Sequence, residues 1–222
     1  EHPAVLKVLD ELKVFGLTYD VLSVDSTGLI DPTNLKSSIK KDTGLISIMY
    51  VNNEVGTVQK IEELVEIAHD HRIPFHSDCV QSIGKMSVSC KSLGVDYMSF
   101  SAHKFYGPKG IGFLYKKEGL PIKPLVIGGG QESNVRAGTE NLSGIAGLGI
   151  ASQLVTNDLD NRIDHLEKIQ KHFKSKIYEK CPSVIFHGNE QSYAPGICSL
   201  ALPGIKNEIM LTKLDRKGIE IS

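Results

Sequence analysis

The sequence predicts an α/β fold with a mostly parallel sheet flanked by helices, followed by part of a small C-terminal α/β domain. Three observations lead there. Strand-like apolar runs alternate with amphipathic stretches of helical period. The run Leu45 to Val51 is continuously apolar, as in a strand covered on both faces. After Gly128-Gly129-Gly130 the character of the chain changes, and a long charged helix leads into a further strand-and-helix stretch.

Taken in order, Ala4 to Val14 has helical spacing and Tyr19 to Val24 reads as a strand. Asp31 opens a helix through Lys40, with Pro32 at the first position, where its missing N–H costs nothing. The strand Leu45 to Val51 precedes a helix over Ile61 to His71 and a second buried strand over Ile73 to Ser77. Tyr97 to Ala102 and Ile111 to Tyr115 are strands flanking a turn that holds Lys104 and Gly107-Pro108-Lys109-Gly110. Asn141 to Leu154 is small and apolar, whereas Asp158 to Lys180 is a charged helix with apolar positions at Ile163, Leu166, Ile169 and Phe173. Strands at Ser183 to His187, Ile197 to Leu202 and Ile219 to Ser222, with a helix over Asn207 to Lys217, complete the reading.

Composition narrows the class. The 222 residues are 41% hydrophobic and 23% charged, with a formal net charge of -1, which offers no electrostatic reason to bind nucleic acid or a membrane surface. No apolar run approaches the roughly 20 residues that span a bilayer, and Glu1-His2-Pro3 is unlike a secretory signal, so a cytoplasmic location is expected. The four cysteines lie far apart with no CxxC pair, so neither a disulfide framework nor a metal site is expected.

The chemistry concentrates in His76-Ser77-Asp78-Cys79-Val80-Gln81 and Phe100-Ser101-Ala102-His103-Lys104. An acid, an amide and an amine arrive in the order that a pyridoxal 5'-phosphate site needs. The cofactor works as an electron sink only with its ring nitrogen protonated, and a carboxylate such as Asp78 stabilises that charge. A lysine such as Lys104 can take the aldehyde once deprotonated, which burial and nearby positive charge promote. Gln81 can donate to the phenolic oxygen, and Ser101 and His103 can hold the phosphate. Singly, each has an ordinary reading: Asp78 as a cap or turn former, Lys104 as a solvated turn residue, His103 as a surface histidine. Order and spacing lift the set.

These segments resemble the cysteine desulfurases, a class V aminotransferase-like family of fold-type I pyridoxal phosphate enzymes. The matching stretches are Glu1 to Val5, Asn52-Asn53-Glu54-Val55-Gly56, His76 to Gln81, Ser101 to Gly110, Gly128 to Glu132 and Arg136 to Asn141, in family order. The resemblance implies a transferase with Lys104 as the cofactor lysine and proton carrier. Asp78 becomes the ring-nitrogen partner, Gln81 the phenolic-oxygen partner, and Ser101 and His103 phosphate ligands. It makes His2 a ring-stacking histidine that assists proton transfer, where the residues alone suggest a frayed terminus. Asn53 would lie near the phenolic oxygen and the substrate, against its ordinary reading as a turn former. Thr139 would reach the phosphate of a second subunit, against its ordinary reading as a helix N-cap, and a homodimer follows.

By the same resemblance the substrate is L-cysteine, and sulfur passes as an enzyme persulfide to an iron-sulfur scaffold or a tRNA thiolation enzyme. The resemblance assigns residues 1–158 to a large cofactor-binding domain lacking its N-terminal part. Residues 159–222 become a connecting helix and a partial small domain. The family's phosphate-wrapping segment and its Ser-Gly-Ser-Ala-Cys-like nucleophile loop have no counterpart here, so the chain is expected to be an internal fragment, inactive alone. Cys79, Cys90, Cys181 and Cys198 are not candidates for that nucleophile, and Cys198, in a strand-like run, is expected to be a buried thiol. Rival readings are a selenocysteine lyase, another aminotransferase, or a cofactor-free dimerisation module.

Overall fold

A computed structural model describes residues 1–222. Helix α1 (Pro3–Leu12) and α2 (Pro32–Ser38) precede the short strand β1 (Ile46–Ser47), and α2 is capped by Asp31, whose carboxylate accepts from Thr33 N. Helix α3 (Ile61–Asp70) leads into β2 (Phe75–Asp78), and the single-turn α4 (Cys90–Leu93) into β3 (Tyr97–Ser101). A 3-10 turn over Ala102–Phe105 then reverses the chain into β4 (Gly112–Lys116).

These strands form one sheet in the order β1-β2-β3-β4, parallel across the first two pairs and antiparallel at the β4 edge. The expected mostly parallel sheet is therefore present, and all three parallel strands point their C-terminal ends the same way. Register pairs Ser47 with His76, and Asp78 with Ser99. Beyond its two assigned residues β1 stays in the ladder, because Ile48 N donates to His76 O and Tyr50 N to Asp78 O.

Alternation then sorts the residues by face. Ile46, Ile48, Phe75, Cys79 and Met98 join Leu35, Ile61, Leu64, Val65, Ala68 and Leu93 in one buried cluster between the sheet and α2, α3 and α4. The α3 members fall at spacings of three and four, which places them on one face of that helix. Ser47, His76, Asp78 and Ser99 occupy the opposite face of the sheet.

Downstream, a one-turn element α5 (Gln131–Asn134) precedes α6 (Leu142–Asn157) and α7 (Leu159–Lys180). Strands β5 (Ile185–Phe186) and β6 (Leu200–Ala201) pair antiparallel as a separate two-stranded sheet, and α8 (Asn207–Asp215) follows. Residues 189–194 dock on the loop after β1: Val58 N donates to Ser192 O, Ala194 N to Gly56 O, and Asn189 N to Thr57 Oγ1.

Two predicted strands do not form. Tyr19 to Val24 contributes only an isolated bridge from Val24 to Ile30, because Asp25 closes a turn by accepting from Thr27 N and Leu29 N. At Ile219 to Ser222 there is no strand either, since Gly218 takes a φ of +74° and Ile219 N caps Leu214 O at the end of α8.

Candidate active site

The residues singled out for chemistry collect at the C-terminal ends of β2 and β3, the edge where open α/β sheets bind ligands. Asp78 is the last residue of β2 and only 9% exposed. One of its carboxylate oxygens accepts from Val80 N at 2.9 Å, which fixes the carboxylate against its own turn and leaves Oδ2 outside that bond. On the neighbouring strand, Ser101 ends β3 and its Oγ lies 2.8 Å from His103 Nδ1, so hydroxyl and imidazole are held together.

Lys104 sits one residue later in the 3-10 turn and is exposed. The turn beneath it is anchored by Ala102 and Phe105, which are buried against Ala151 and Val155 of α6. Tyr106 closes the turn in the left-handed region at φ 69°, and a Cβ on Gly107 would stand 2.8 Å from Ala102 Cβ. This turn holds one backbone shape, and Lys104 projects from it.

Gln81 is half-buried, and Lys85 Nζ lies 3.1 Å from both its backbone oxygen and its side-chain Oε1. Burial pushes the Lys85 amine below its ordinary value, and the charge of Lys104 adds to that push. Sequence reasoning passed over Lys85. Its only signal was a spacing of four from Gln81, which has meaning once Cys79 to Met86 is seen to fold as consecutive turns.

His76 was also missed. Its Nδ1 lies 2.8 Å from Ser47 Oγ and its Nε2 3.1 Å from Ser99 Oγ, so it bridges three strands beneath Asp78. Burial lowers its pKa, with the Asp78 charge opposing. The signal was present in the alternation, since residues two apart on a strand share a face.

The remaining predicted residues lie further out. His2 is exposed and its Nδ1 accepts from Ala4 N at 3.1 Å, so the side chain caps α1. Glu1 is exposed overall, yet its carboxyl lies against the backbone of Met49 and near Asp78, and burial raises its pKa. The start of α1 therefore borders the site. The turn after β1 runs over Asn53, Glu54 and Val55, in line with the ordinary reading of Asn53 as a turn residue, and the Asn52 side chain braces it, its Oδ1 accepting from Glu54 N and Val55 N.

Thr139 is exposed on the loop before α6, and that helix is capped by Asn141, which accepts from Gly144 N at 3.0 Å. The Thr139 N-cap reading is therefore corrected. Asn141 alone has the backbone position from which a side chain reaches the third helical N–H.

The cysteines divide by environment. Cys79 is fully buried on the face opposite Asp78, and burial pushes its thiol up to about 12. Cys90 starts α4 and Cys181 ends α7. Cys198, on the approach to β6, is exposed, contrary to the expected buried thiol, and partial burial still raises its thiol pKa.

This donor set fits pyridoxal phosphate: a nearly buried carboxylate for a ring nitrogen, an amide for a phenolic oxygen, a hydroxyl and imidazole for phosphate, and an exposed amine for an aldehyde. No helix is long and apolar enough to cross a membrane.

Comparison with known proteins agrees with this arrangement. A cysteine desulfurase IscS of Dictyoglomus turgidum is 42% identical over 222 residues, all of this chain and 56% of that protein. The cysteine desulfurase IscS of Methanosarcina thermophila is 40% identical, with 55% of its length covered. Among solved structures, a NifS-like protein superposes over the whole chain with a TM-score of 0.96 at 37% identity, covering 61% of that chain. The NifS-like protein of Rickettsia africae superposes with a TM-score of 0.92 at 32% identity. The chain thus spans little more than half the length of these curated relatives. The fold is that of fold-type I pyridoxal phosphate enzymes, and the aminotransferase class-V family matches residues 1–222. The chain belongs to the aminotransferase class-V family.

Proposed function

We propose that this chain carries the cofactor half of a cysteine desulfurase, in which L-cysteine and an enzyme thiol give L-alanine and an enzyme persulfide. The carrying observation is the convergence of Asp78, Gln81, Ser101, His103 and Lys104 on the C-terminal ends of two adjacent parallel strands. Family membership and the relatives named cysteine desulfurase support the reaction class. These are pyridoxal phosphate enzymes, and the group, when bound, draws electrons from bonds at the α-carbon of an amino acid.

Each residue then has a role. Asp78 Oδ2 would accept from the ring nitrogen and hold its proton there. Gln81 would donate to the phenolic oxygen, with Asn53 nearby facing the substrate. Ser101 and His103 would bind the phosphate, and Thr139 would reach the phosphate of a second copy. Lys104 Nζ would hold the aldehyde carbon and move a proton at the substrate carbon, with His2 over the ring assisting. The domain boundary at residue 158, between α6 and α7, belongs to the same reading.

The thiol that accepts sulfur is none of the four cysteines. Cys79 is in the core, Cys90 packs against it, and neither Cys181 nor Cys198 lies in a segment that resembles the family's nucleophile loop. The 222 residues alone are expected to bind cofactor without releasing sulfide. The persulfide sulfur would go to an acceptor protein of iron-sulfur assembly or tRNA thiolation, from a homodimeric enzyme in the cytoplasm. Exposed Leu125 and Ile127, 96% and 86% accessible, with Leu154 of α6, support an apolar face for a second copy.

Adding pyridoxal phosphate to the purified protein should produce a visible absorption band that is lost in Lys104→Ala. A colourless mixture would refute the cofactor reading and leave the dimerisation module.

A further inference from the structure

We propose that Lys85 is a positioning residue that sets the orientation of the Gln81 side-chain amide, a role that rests on the reading of Gln81 as a cofactor ligand. An amide has two ends of similar shape and opposite hydrogen-bonding sense, and only the nitrogen can donate to a phenolic oxygen. Something must choose which end faces the site. Lys85 Nζ is a donor only, and it lies 3.1 Å from Gln81 Oε1, so the oxygen is the end it holds. Nε2 is left as the free donor.

Backbone geometry supports the assignment. The same ammonium lies 3.1 Å from Gln81 O, which ties it to the residue at both main chain and side chain. The turn that brings it back is rigid: Ser82 is fully buried with its Oγ donating to Cys79 O at 2.7 Å, and Gly84 takes φ +78° against Val155.

Charge supplies a second argument. The lysines in ion pairs, Lys13, Lys40, Lys60, Lys117, Lys171, Lys176 and Lys180, all have side chains more than half exposed, whereas Lys85 is half-buried and its partners are the two oxygens of Gln81. Lys85 instead sits where burial and the charge of Lys104 both work against its ammonium. Its two hydrogen bonds to Gln81 are the contacts that hold the ammonium there.

The test compares Lys85→Met and Lys85→Arg with the unaltered protein. In cofactor-free protein, the Gln81 side-chain amide resonances should shift in Lys85→Met and return toward their original position in Lys85→Arg. Pyridoxal phosphate affinity, read from the visible band, should fall roughly tenfold in Lys85→Met, with no loss of thermal stability. In a Gln81→Ala background the Lys85→Met change should cause no further loss, since the effect runs through the amide.

Unmoved amide resonances, or losses that add in the double variant, would overturn the proposal. Absence of any band in the unaltered protein would instead overturn the cofactor reading, and the amide resonances would still decide the role of Lys85.

Discussion

His76 shows how one residue's environment becomes a measurable property. Both ring nitrogens are engaged by serine hydroxyls, and burial holds its pKa below the ordinary value of 6.5. The folded state therefore disfavours the charged form, and the unfolded chain takes up the proton first as pH falls. The stability contributed by neutral His76 is complete above about pH 6.5 and is lost on acidification below it. Denaturant midpoints followed from about pH 7.5 to pH 5 should fall through that window, and the fall should be shallower in His76→Gln. Cys79 and Cys198 form a second contrast at this scale. In native protein an alkylating reagent should label Cys198, while Cys79, buried with its thiol pushed up to about 12, should label only after unfolding. Peptide mass mapping before and after denaturation checks this.

Helix α3 decides how much of the scaffold under the site survives substitution. Leu64 is fully buried between Phe75 of β2 and the rest of the core cluster. Leu64→Ala should cost about 2–5 kcal/mol of stability by leaving a cavity that the packed sheet cannot close, read as a lower denaturant midpoint. This helix was legible in the sequence because Ile61, Leu64, Val65 and Ala68 repeat at helical spacing. In β2 and β3 the signal was alternation, with Phe75, Met98 and Phe100 on the core face and His76, Asp78 and Ser99 on the other. Tyr19 to Val24 has the same composition and is no strand. Nothing pairs with it across most of its length, and Asp25 offers the backbone a turn instead. Strand propensity is a preference for a pleated, half-buried surface, and that surface exists only when a neighbour provides it.

Across the whole molecule, the loop after β1 is clamped from the far end of the chain. Thr57 is fully buried, donates to Thr27 O at 2.6 Å and accepts from Asn189 N at 3.2 Å, so three distant segments meet on one hydroxyl. Gly188 makes this approach possible: its φ is +96°, and an added Cβ would lie 2.4 Å from Val55 O. Gly188→Ala should destabilise by more than about 1 kcal/mol through both strain and collision. A lower melting temperature checks the direction. The same loop carries Asn53, so cofactor affinity should fall with it if that residue contributes.

The sequence by itself determined the family, the order of the strands that carry the site, and the acid, amide and amine that define its chemistry. Identity and spacing along the chain are enough to specify these. Only the tertiary structure decided between neighbouring candidates for one local role, choosing Asn141 rather than Thr139 at the cap. It alone placed Lys85 on Gln81 and His76 between two serines. Those outcomes depend on turn shape and on contacts between strands 23 and 29 residues apart, which no local pattern of residues encodes.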